Sequence, residues 1–326
     1  MITRRRVVAL LGAGALAPLA TLAQESKTEI RRISYLSQGS EATNGVFLNA
    51  FRDGLSDLGW IDGKNVVIDV HWAQPYEFPE VAASMVKGRP DVIIGTCIPS
   101  TRAAKNATSK IPVVFSVNGD PVESGLVAAL SRPGANVTGT STLFEELVPK
   151  WLEIITAAVP GARTVTYLAN SESLVNEYWW MQFQRIANRM RVNVVRAEAR
   201  TAAGLERAFA SMKKQRAGAF VMMIDAFWLD EIQRIVTLAN VYKQPGIYGF
   251  REFAEAGGLM SYGLSYREYF KRVARYVDKV LQGAKPADLP VERSARIELA
   301  VNLGTAKSLG LTIPQSILIR ADRVIE

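Results

Sequence analysis

Residues 91–117 read DVIIGTCIPSTRAAKNATSKIPVVFSV, and this stretch contains the repeating unit of the fold. Asp91–Gly95 is a short apolar run typical of a buried strand, and Pro112–Val117 is a second such run. The polar loop after the first run leads into a predicted helix over Thr101–Thr108. Two buried strands joined by a helix are typical of a parallel sheet whose faces are covered by helices.

The same alternation extends in both directions from this unit. Further strands are predicted at Ile33–Leu36, Val66–Val70, Val165–Leu168, Val192–Val195, Ala219–Ile224 and Ile247–Tyr248. Apolar residues at helical spacing predict helices between them, for example over Phe78–Lys87, and another over Phe270–Leu281. The alternation restarts after residue 140. The sequence therefore predicts an α/β protein with two similarly built lobes, over residues 31–140 and 141–258.

The first 23 residues have the layout of an export signal. Arg4–Arg6 precede an uncharged run from Val7 to Ala17, and Thr21–Ala23 offers small residues before a cleavage point. The run is shorter than the roughly 20 residues that a membrane span needs. The three arginines leave the twin-arginine route and the general export route both open. We therefore expect a periplasmic protein with a cleaved signal peptide over residues 1–23.

Composition limits the classes of function. The 326 residues include one Cys and one His, which excludes an intramolecular disulfide and leaves His71 as the only candidate base for a triad. No G-x-S-x-G, H-E-x-x-H or P-loop spacing occurs, and the dinucleotide-like stretch Gly12–Ala17 lies inside the export signal. The sequence thus predicts no enzyme activity, no cofactor and no metal. Removal of residues 1–23 lowers the formal net charge from +8 to +5, which is too mild to indicate a nucleic-acid partner.

Polar residues concentrate in the loops beyond the carboxyl ends of the predicted strands, where ligands bind in sheets of this type. In the first lobe these loops are Ser37–Ser40, Thr96–Thr101 and Val117–Pro121, and in the second they are Asn170–Val175, Asp225–Trp228 and Phe250–Phe253. Hydrogen-bonding residues in facing loops suit a small polar molecule held between two lobes.

Several longer segments carry a resemblance to a known family. In chain order they are Phe51–Leu55, Ile111–Phe115, Gly119–Val122, Arg132–Gly139, Ile247–Phe253, Gly257–Gly263, Gly283–Glu292 and Leu309–Pro314. Through these segments the chain resembles the substrate-binding proteins of ABC importers, in the subgroup of tryptophan- and tyrosine-type binding components. The resemblance covers nearly all of the mature chain.

The resemblance implies a type I periplasmic-binding-protein fold, in which two Rossmann-like lobes with parallel sheets are joined by crossover hinge strands and close on a ligand. Crossovers would lie near Thr138–Thr142, Leu259–Gly263 and Glu292–Leu299. The N-terminal lobe would then comprise residues 28–140 and about 263–291, and the C-terminal lobe 141–262 and about 292–326. The implied function is to clamp an amino acid or another small carboxylate, with an aromatic ligand left open.

The same resemblance implies the partners. The closed protein would deliver its small-molecule ligand to an ABC permease served by a separate ATPase subunit, and would touch the membrane only through that permease. Two other functions stay open on the sequence alone. One is a periplasmic sensor that passes a ligand signal to a membrane receptor. The other is a periplasmic enzyme on the same fold, which needs a titratable cluster where the loops offer only isolated carboxylates.

The candidate ligand contacts of the first lobe are Ser37, Gln38, Ile98, Ser100, Thr101, Asn118 and Asp120. Hydroxyls and free N–H groups at the start of a helix can hold a carboxylate, although ordinary N-capping needs the same residue types at 100 and 101. Cys97–Pro99 stands where a Gly-Thr-Pro segment is usual in the family, so a hydroxyl is lost and an apolar side chain gained. Asp120 either accepts a hydrogen bond from a ligand amine or fixes the turn before Pro121.

The candidate contacts of the second lobe are Asn170, Ser171, Asp225, Phe250, Arg251 and Tyr262. Asp225 follows a strand and is the favoured partner of a ligand ammonium, with a helix cap or a solvent-facing carboxylate as the alternatives. Arg251 either binds an anionic group through two hydrogen bonds or pairs with an acid such as Glu252 or Glu255. Tyr262 lies at a proposed crossover, from which it can reach the cleft.

Overall fold

The computed structural model describes residues 30–142, 147–171, 173, 176–225, 227–293 and 297–326. The predicted signal peptide lies outside the described residues. The strands are β1 (Arg31–Gln38), β2 (Val66–Ala73), β3 (Val92–Gly95), β4 (Val113–Asn118), β5 (Val137–Thr142), β6 (Thr164–Asn170), β7 (Asn193–Ala199), β8 (Ala219–Met222), β9 (Gly246–Phe250), β10 (Met260–Leu264), β11 (Glu292–Arg293), β12 (Glu298–Asn302) and β13 (Arg323–Ile325).

The helices fill most of the intervals between these strands. They are α1 (Glu41–Ser56), α2 (Phe78–Lys87), α3 (Ile98–Ala107), α4 (Leu147–Ala158), α5 (Asn176–Met190), α6 (Ala202–Lys214), α7 (Phe227–Asp230), α8 (Ile232–Val241), α9 (Arg251–Glu255), α10 (Tyr266–Leu281), α11 (Leu303–Ser308) and α12 (Gln315–Leu318). The predicted strand–helix alternation is therefore confirmed over both halves of the chain.

Two sheets organise the described residues into two α/β lobes. The first sheet has the strand order β11-β5-β4-β3-β1-β2 with every pair parallel, and the second has the order β13-β12-β10-β9-β8-β6-β7. In the second sheet only the β10–β12 pair is antiparallel. The central strands are apolar throughout, as in Val92–Ile94, because helices cover both faces of a parallel sheet.

The chain passes between the two sheets three times: after β5, after β10 and between β11 and β12. After the second passage, α10 packs on α1 of the first lobe. A Cβ on Gly54 of α1 would lie 2.8 Å from the Cα of Lys271, so glycine permits the close approach of the two helices. The rings of Phe47 in α1 and Phe270 in α10 stack with their centroids 5.0 Å apart.

One helix start was predicted wrongly. The sequence pattern placed the first turn of α3 at Thr101, whereas the helix begins at Ile98. Pro99 occupies the first turn, where its missing N–H has no intrahelical partner to lose and its fixed φ suits the helix. Ile98, Ser100 and Thr101 are therefore helical residues rather than members of a loop.

Candidate functional site

The carboxyl edge of the first sheet brings together loops from three strands. The hydroxyl of Thr96, after β3, donates a 2.9 Å hydrogen bond to the hydroxyl oxygen of Ser37 near the end of β1. Ser37 is buried, and the half-buried Gln38 follows it. The Gln38 carbonyl accepts a 3.0 Å hydrogen bond from the Asn44 amide of α1, which ties this loop to the next helix.

The first turn of α3 is held by its own hydroxyls. The Ser100 Oγ accepts a 3.1 Å hydrogen bond from the Cys97 backbone N–H, and the Thr101 hydroxyl donates to the Cys97 carbonyl at 2.8 Å. Both side chains are fully buried. These contacts are the ordinary capping role, and a role for the two residues in ligand binding stays a prediction.

The lone thiol of the chain sits at this helix start. The Cys97 thiol lies 3.3 Å from the Ser100 hydroxyl, and burial raises the pKa of the thiol. A raised pKa lowers the thiolate fraction, so Cys97 is a weak nucleophile at neutral pH. Cys97 as a whole is half-buried at this edge of the first sheet.

The loop after β4 lies beside α3. The Ile98 Cδ1 is 3.2 Å from the position that a Cβ on Gly119 would take. Asn118 ends β4, where its backbone pairs with β5. The Asp120 carboxylate accepts hydrogen bonds from the N–H groups of Val122 (2.7 Å) and Glu123 (3.1 Å), and its other oxygen lies 3.4 Å from Arg293. Asp120 thus fixes the local turn, which was the structural alternative for this residue.

At the carboxyl edge of the second sheet, two predicted residues meet. The Asn170 amide, at the end of β6, donates a 3.2 Å hydrogen bond to the Asp225 carboxylate after β8. Both side chains are half-buried, and the neighbouring Ser171 is exposed. The amide fixes the position of the carboxylate at this edge, and an ionised carboxylate can accept hydrogen bonds from cationic groups.

A charged and aromatic network beside this pair was missed by the sequence interpretation. Arg196 forms ion pairs with Glu177 and Glu198 and lies 5.9 Å over the ring of Trp180. Tyr167, whose ring is 5.5 Å from Trp180, has its pKa raised by burial. Arg196 and Glu198 alternate with two buried alanines along β7, and this alternation was the available signal.

The other second-lobe candidates lie at the junction of the lobes. Phe250 ends β9, is buried, and packs on Phe47 (6.4 Å between centroids) and Tyr266 (6.0 Å). Tyr262 is half-buried in β10, and its carbonyl accepts a 2.6 Å hydrogen bond from the Trp151 indole.

Arg251 is the first residue of α9 and is surrounded by acids. Its guanidinium lies 3.1 Å from Glu255, 3.3 Å from Glu268 and 3.2 Å from Glu298. Burial alone would lower the pKa of Arg251, but the Glu298 hydrogen bond and the neighbouring acids outweigh it and raise that pKa. The ion-pair alternative for Arg251 therefore describes its contacts, with Glu255 as one of the two acids named from the sequence.

Glu252, the other acid that the sequence offered as a partner for Arg251, bonds elsewhere. Glu252 accepts a 2.7 Å hydrogen bond from the Ser265 hydroxyl, and burial raises the pKa of this carboxyl.

A surface hollow of about 470 Å³ lies between α1 and α10 next to Arg251 and Ser265. Its lining carries charges of both signs, from Asp53, Asp57, Arg251, Arg267, Glu268 and Lys271. Arg251 is the one carboxyl-edge candidate among the residues that line this hollow.

The described residues also bear on two other kinds of feature, a metal centre and a membrane span. No group of three His, Cys, Asp or Glu side chains is placed to hold a metal ion in this part of the chain. Among the same residues, no helix has the length and apolar character that a membrane crossing requires.

The comparison with known families decides the assignment. The family model for the ABC transporter substrate binding protein matches residues 43–325. This chain belongs to that family. The predicted resemblance to ABC substrate-binding proteins is thus confirmed, and the family consists of binding components rather than enzymes.

Individual relatives of this substrate-binding protein are named for amino acids. A tyrosine-binding protein of Clostridioides difficile is 28% identical over 271 residues, which cover 80% of this chain and 75% of the relative. The solved structure of an ABC domain in complex with L-Trp from Streptococcus pneumonia has a TM-score of 0.69 at 25% identity, covering 90% of this chain and 99% of that one.

A third relative matches the whole fold. The conserved domain protein from Vibrio cholerae O1 biovar El Tor has a TM-score of 0.70 at 28% identity, over 91% of this chain and 100% of that chain. More distant solute-binding proteins and transcriptional regulators share the fold alone. Two lobes with mostly parallel sheets place this substrate-binding protein in the type I periplasmic-binding-protein fold, as predicted.

Proposed function

We propose that this protein captures a small molecule with an amino-acid backbone between its two lobes in the periplasm. The Asn170–Asp225 pair at the carboxyl edge of the second sheet carries the proposal, because it offers a positioned carboxylate to an ammonium group. The amino-acid relatives support the same ligand class. Besides its ammonium and carboxylate groups, we expect the ligand to carry an aromatic side chain like that of tyrosine or tryptophan.

The carboxylate end of such a ligand would meet the first lobe. The N–H group of Ile98, in the first turn of α3, has no intrahelical partner, and the helix dipole favours negative charge there, whereas the Ser100 N–H already donates to the Cys97 thiol sulfur. The Ile98 side chain, half-buried against Gly119, offers an apolar wall for the ligand side chain. Contacts from both lobes to one molecule would favour the closed state, because only that state makes both sets at once.

Family membership supports a further step, the delivery of the ligand. The closed protein would present its ligand to an ABC permease, and transport energy would come from a separate ATPase subunit. The proposed role of this chain is to bind the ligand and close on it. The residues proposed to contact the ligand, at Asp225 and at the start of α3, offer hydrogen bonds and do not pair a nucleophile with a base.

Substitution Asp225→Asn is expected to weaken ligand binding about tenfold, because it removes the charge opposite the ammonium but keeps an oxygen for the Asn170 amide. Isothermal titration against the amino acids and a set of aromatic acids gives the dissociation constants. Asp69→Asn is the matched control, since Asp69 pairs with the exposed Arg32 away from the carboxyl edge. Equal affinity of the Asp225 variant and the native protein for the best ligand would remove Asp225 from the site.

Export supplies a second test. Full-length protein expressed in a Gram-negative host is expected in the periplasm, lacking residues 1–23 by mass spectrometry. Replacement of Arg4, Arg5 and Arg6 by Lys keeps the positive charge, so it blocks export only if the twin-arginine route is used. Uncleaved protein that stays in the cytoplasm of the host contradicts the periplasmic location.

A further inference from the structure

The amino edge of the second sheet, at the far end of this lobe from the proposed ligand site, carries a row of basic residues. Arg191 precedes β7, Arg163 precedes β6, Arg216 precedes β8 and Lys243 precedes β9. These four strands are neighbours in the sheet. Because adjacent strands lie about 4.8 Å apart, the row is about 15 Å long. We call these four residues the basic row.

The segments that carry the basic row hold charge of one sign. Arg189, Lys213 and Lys214 add three cations in the last helical turns and all seven side chains are exposed. The connecting segments 159–163, 189–192, 213–218 and 242–245 contain no Asp or Glu. The Lys243 ammonium donates to the Ser308 carbonyl at 2.9 Å. The other six cations make no ion pair within the part of the chain that the structure describes.

Three members of the basic row hold a backbone conformation that favours glycine. Arg191 (φ 58°), Arg216 (φ 53°) and Lys243 (φ 53°) are left-handed, and the one other non-glycine residue of this kind in the described chain is Arg89. Where a helix is followed by a residue in this conformation, that residue is usually glycine. A cation in the last helical turn already complements the helix dipole, so the dipole does not require a strained cation one step further. These three positions therefore combine a backbone conformation that costs free energy with a positive charge.

Apolar side chains project among these cations. Met190, between Arg189 and Arg191, is 37% exposed, and Val241, two residues before Lys243, is 68% exposed. Charge complementarity by itself would fit any anionic partner. A lipid bilayer with anionic headgroups attracts cations and also accepts exposed apolar side chains at its interface.

We propose that the basic row and its neighbours form a docking surface for an anionic phospholipid bilayer. This goes beyond the capture of a ligand, and it holds whatever the ligand is. The cations contact lipid phosphates, while Met190 and Val241 enter the headgroup region. A protein held in this way stays near the membrane surface, which raises its local concentration beside a membrane-bound partner.

The test is flotation of the purified mature protein with vesicles. Vesicles of phosphatidylcholine containing about 30% phosphatidylglycerol are compared with pure phosphatidylcholine vesicles at low salt, and the former are repeated at about 0.5 M NaCl. The double substitution Arg191→Gly with Arg216→Gly removes two cations and places glycine where the backbone favours it. Its melting temperature is therefore expected to equal or exceed that of the native protein.

We expect binding to the phosphatidylglycerol vesicles alone, its loss at high salt, and about 25-fold weaker partitioning of the double variant, at about fivefold per cation. The control double variant Arg185→Ala with Arg207→Ala removes two exposed cations from mid-helix positions of the same lobe. It is expected to partition within about threefold of the native protein. Three outcomes would overturn the proposal: no binding at low salt, an equal loss in the control, or retention on heparin without any vesicle binding.

Discussion

Substitution Gly263→Ala is expected to destabilise the protein by about 3 kcal/mol, the upper end of the range for overpacking a well-packed core. Gly263 lies in β10, where the pairing with β9 shifts register between Ser261 and Leu264. A Cβ at this position would overlap the Gly249 carbonyl oxygen and lie 2.6 Å from its carbon. Main-chain atoms of a central strand cannot rotate away, so β9 and β10 must separate locally.

Urea denaturation followed by circular dichroism measures this effect. Gly161→Ala is the matched control, because Gly161 is exposed and a Cβ there meets no atom within 4 Å. That control is expected to be neutral or slightly stabilising. A Gly263→Ala variant with the native urea midpoint would show that the two strands can separate at little cost. If the Gly263→Ala variant does not fold, the amounts of soluble Gly263→Ala and Gly263→Ser protein are compared with the amount of soluble Gly161→Ala protein.

The sequence alone predicted the regular part of the fold well, for a physical reason. Strands buried on both faces must be apolar over their whole length, and Val92–Ile94 and Val113–Phe115 show that signal without help from distant residues. The start of α3 was placed three residues late, because the pattern after Gly95 gave no apolar periodicity and Pro99 was treated as a loop residue. A proline in a first helical turn is as ordinary as one in a loop.

The candidate site was less predictable, because its contacts join distant parts of the chain. Asn170 and Asp225 were both named from strand ends, but the hydrogen bond between them depends on β6 and β8 being neighbours. Arg196 and Glu198 were missed because β7 is an edge strand, whose mixed burial pattern resembles that of an exposed strand. Strand order, which the sequence does not state, decides which loops meet.

Arg251 illustrates the same limit, and its substitution is the second large expected effect. Its partners Glu268 and Glu298 come from α10 and β12, far along the chain, and only the fold brings them to α9. The Arg251 and Glu298 side chains are 13% and 16% exposed, so the pair is well shielded from solvent. Arg251→Gln removes the cation and leaves the nearby carboxylates to repel one another.

We expect Arg251→Gln to lower the free energy of unfolding by about 2–3 kcal/mol, somewhat less than for a fully buried pair because Glu268 is exposed. The double variant Arg251→Gln with Glu298→Gln should recover part of that loss, since a buried carboxylate is no longer left without its cation. Arg323→Gln is the matched control, because Arg323 pairs with the same Glu255 at 2.7 Å but is 51% exposed, and its loss should cost less than about 0.5 kcal/mol.

Ligand affinity separates this structural role from the other role that the sequence left open for Arg251. If Arg251 only holds α9, α10 and β12 together, the dissociation constant measured by titration should change less than about threefold once the variant is folded. If it instead binds the anionic group of the ligand, affinity should fall more than about tenfold while stability changes little. Because the guanidinium already faces three carboxylates, an added anion would have to displace one of them. The structure therefore favours a fall in stability with little change in affinity.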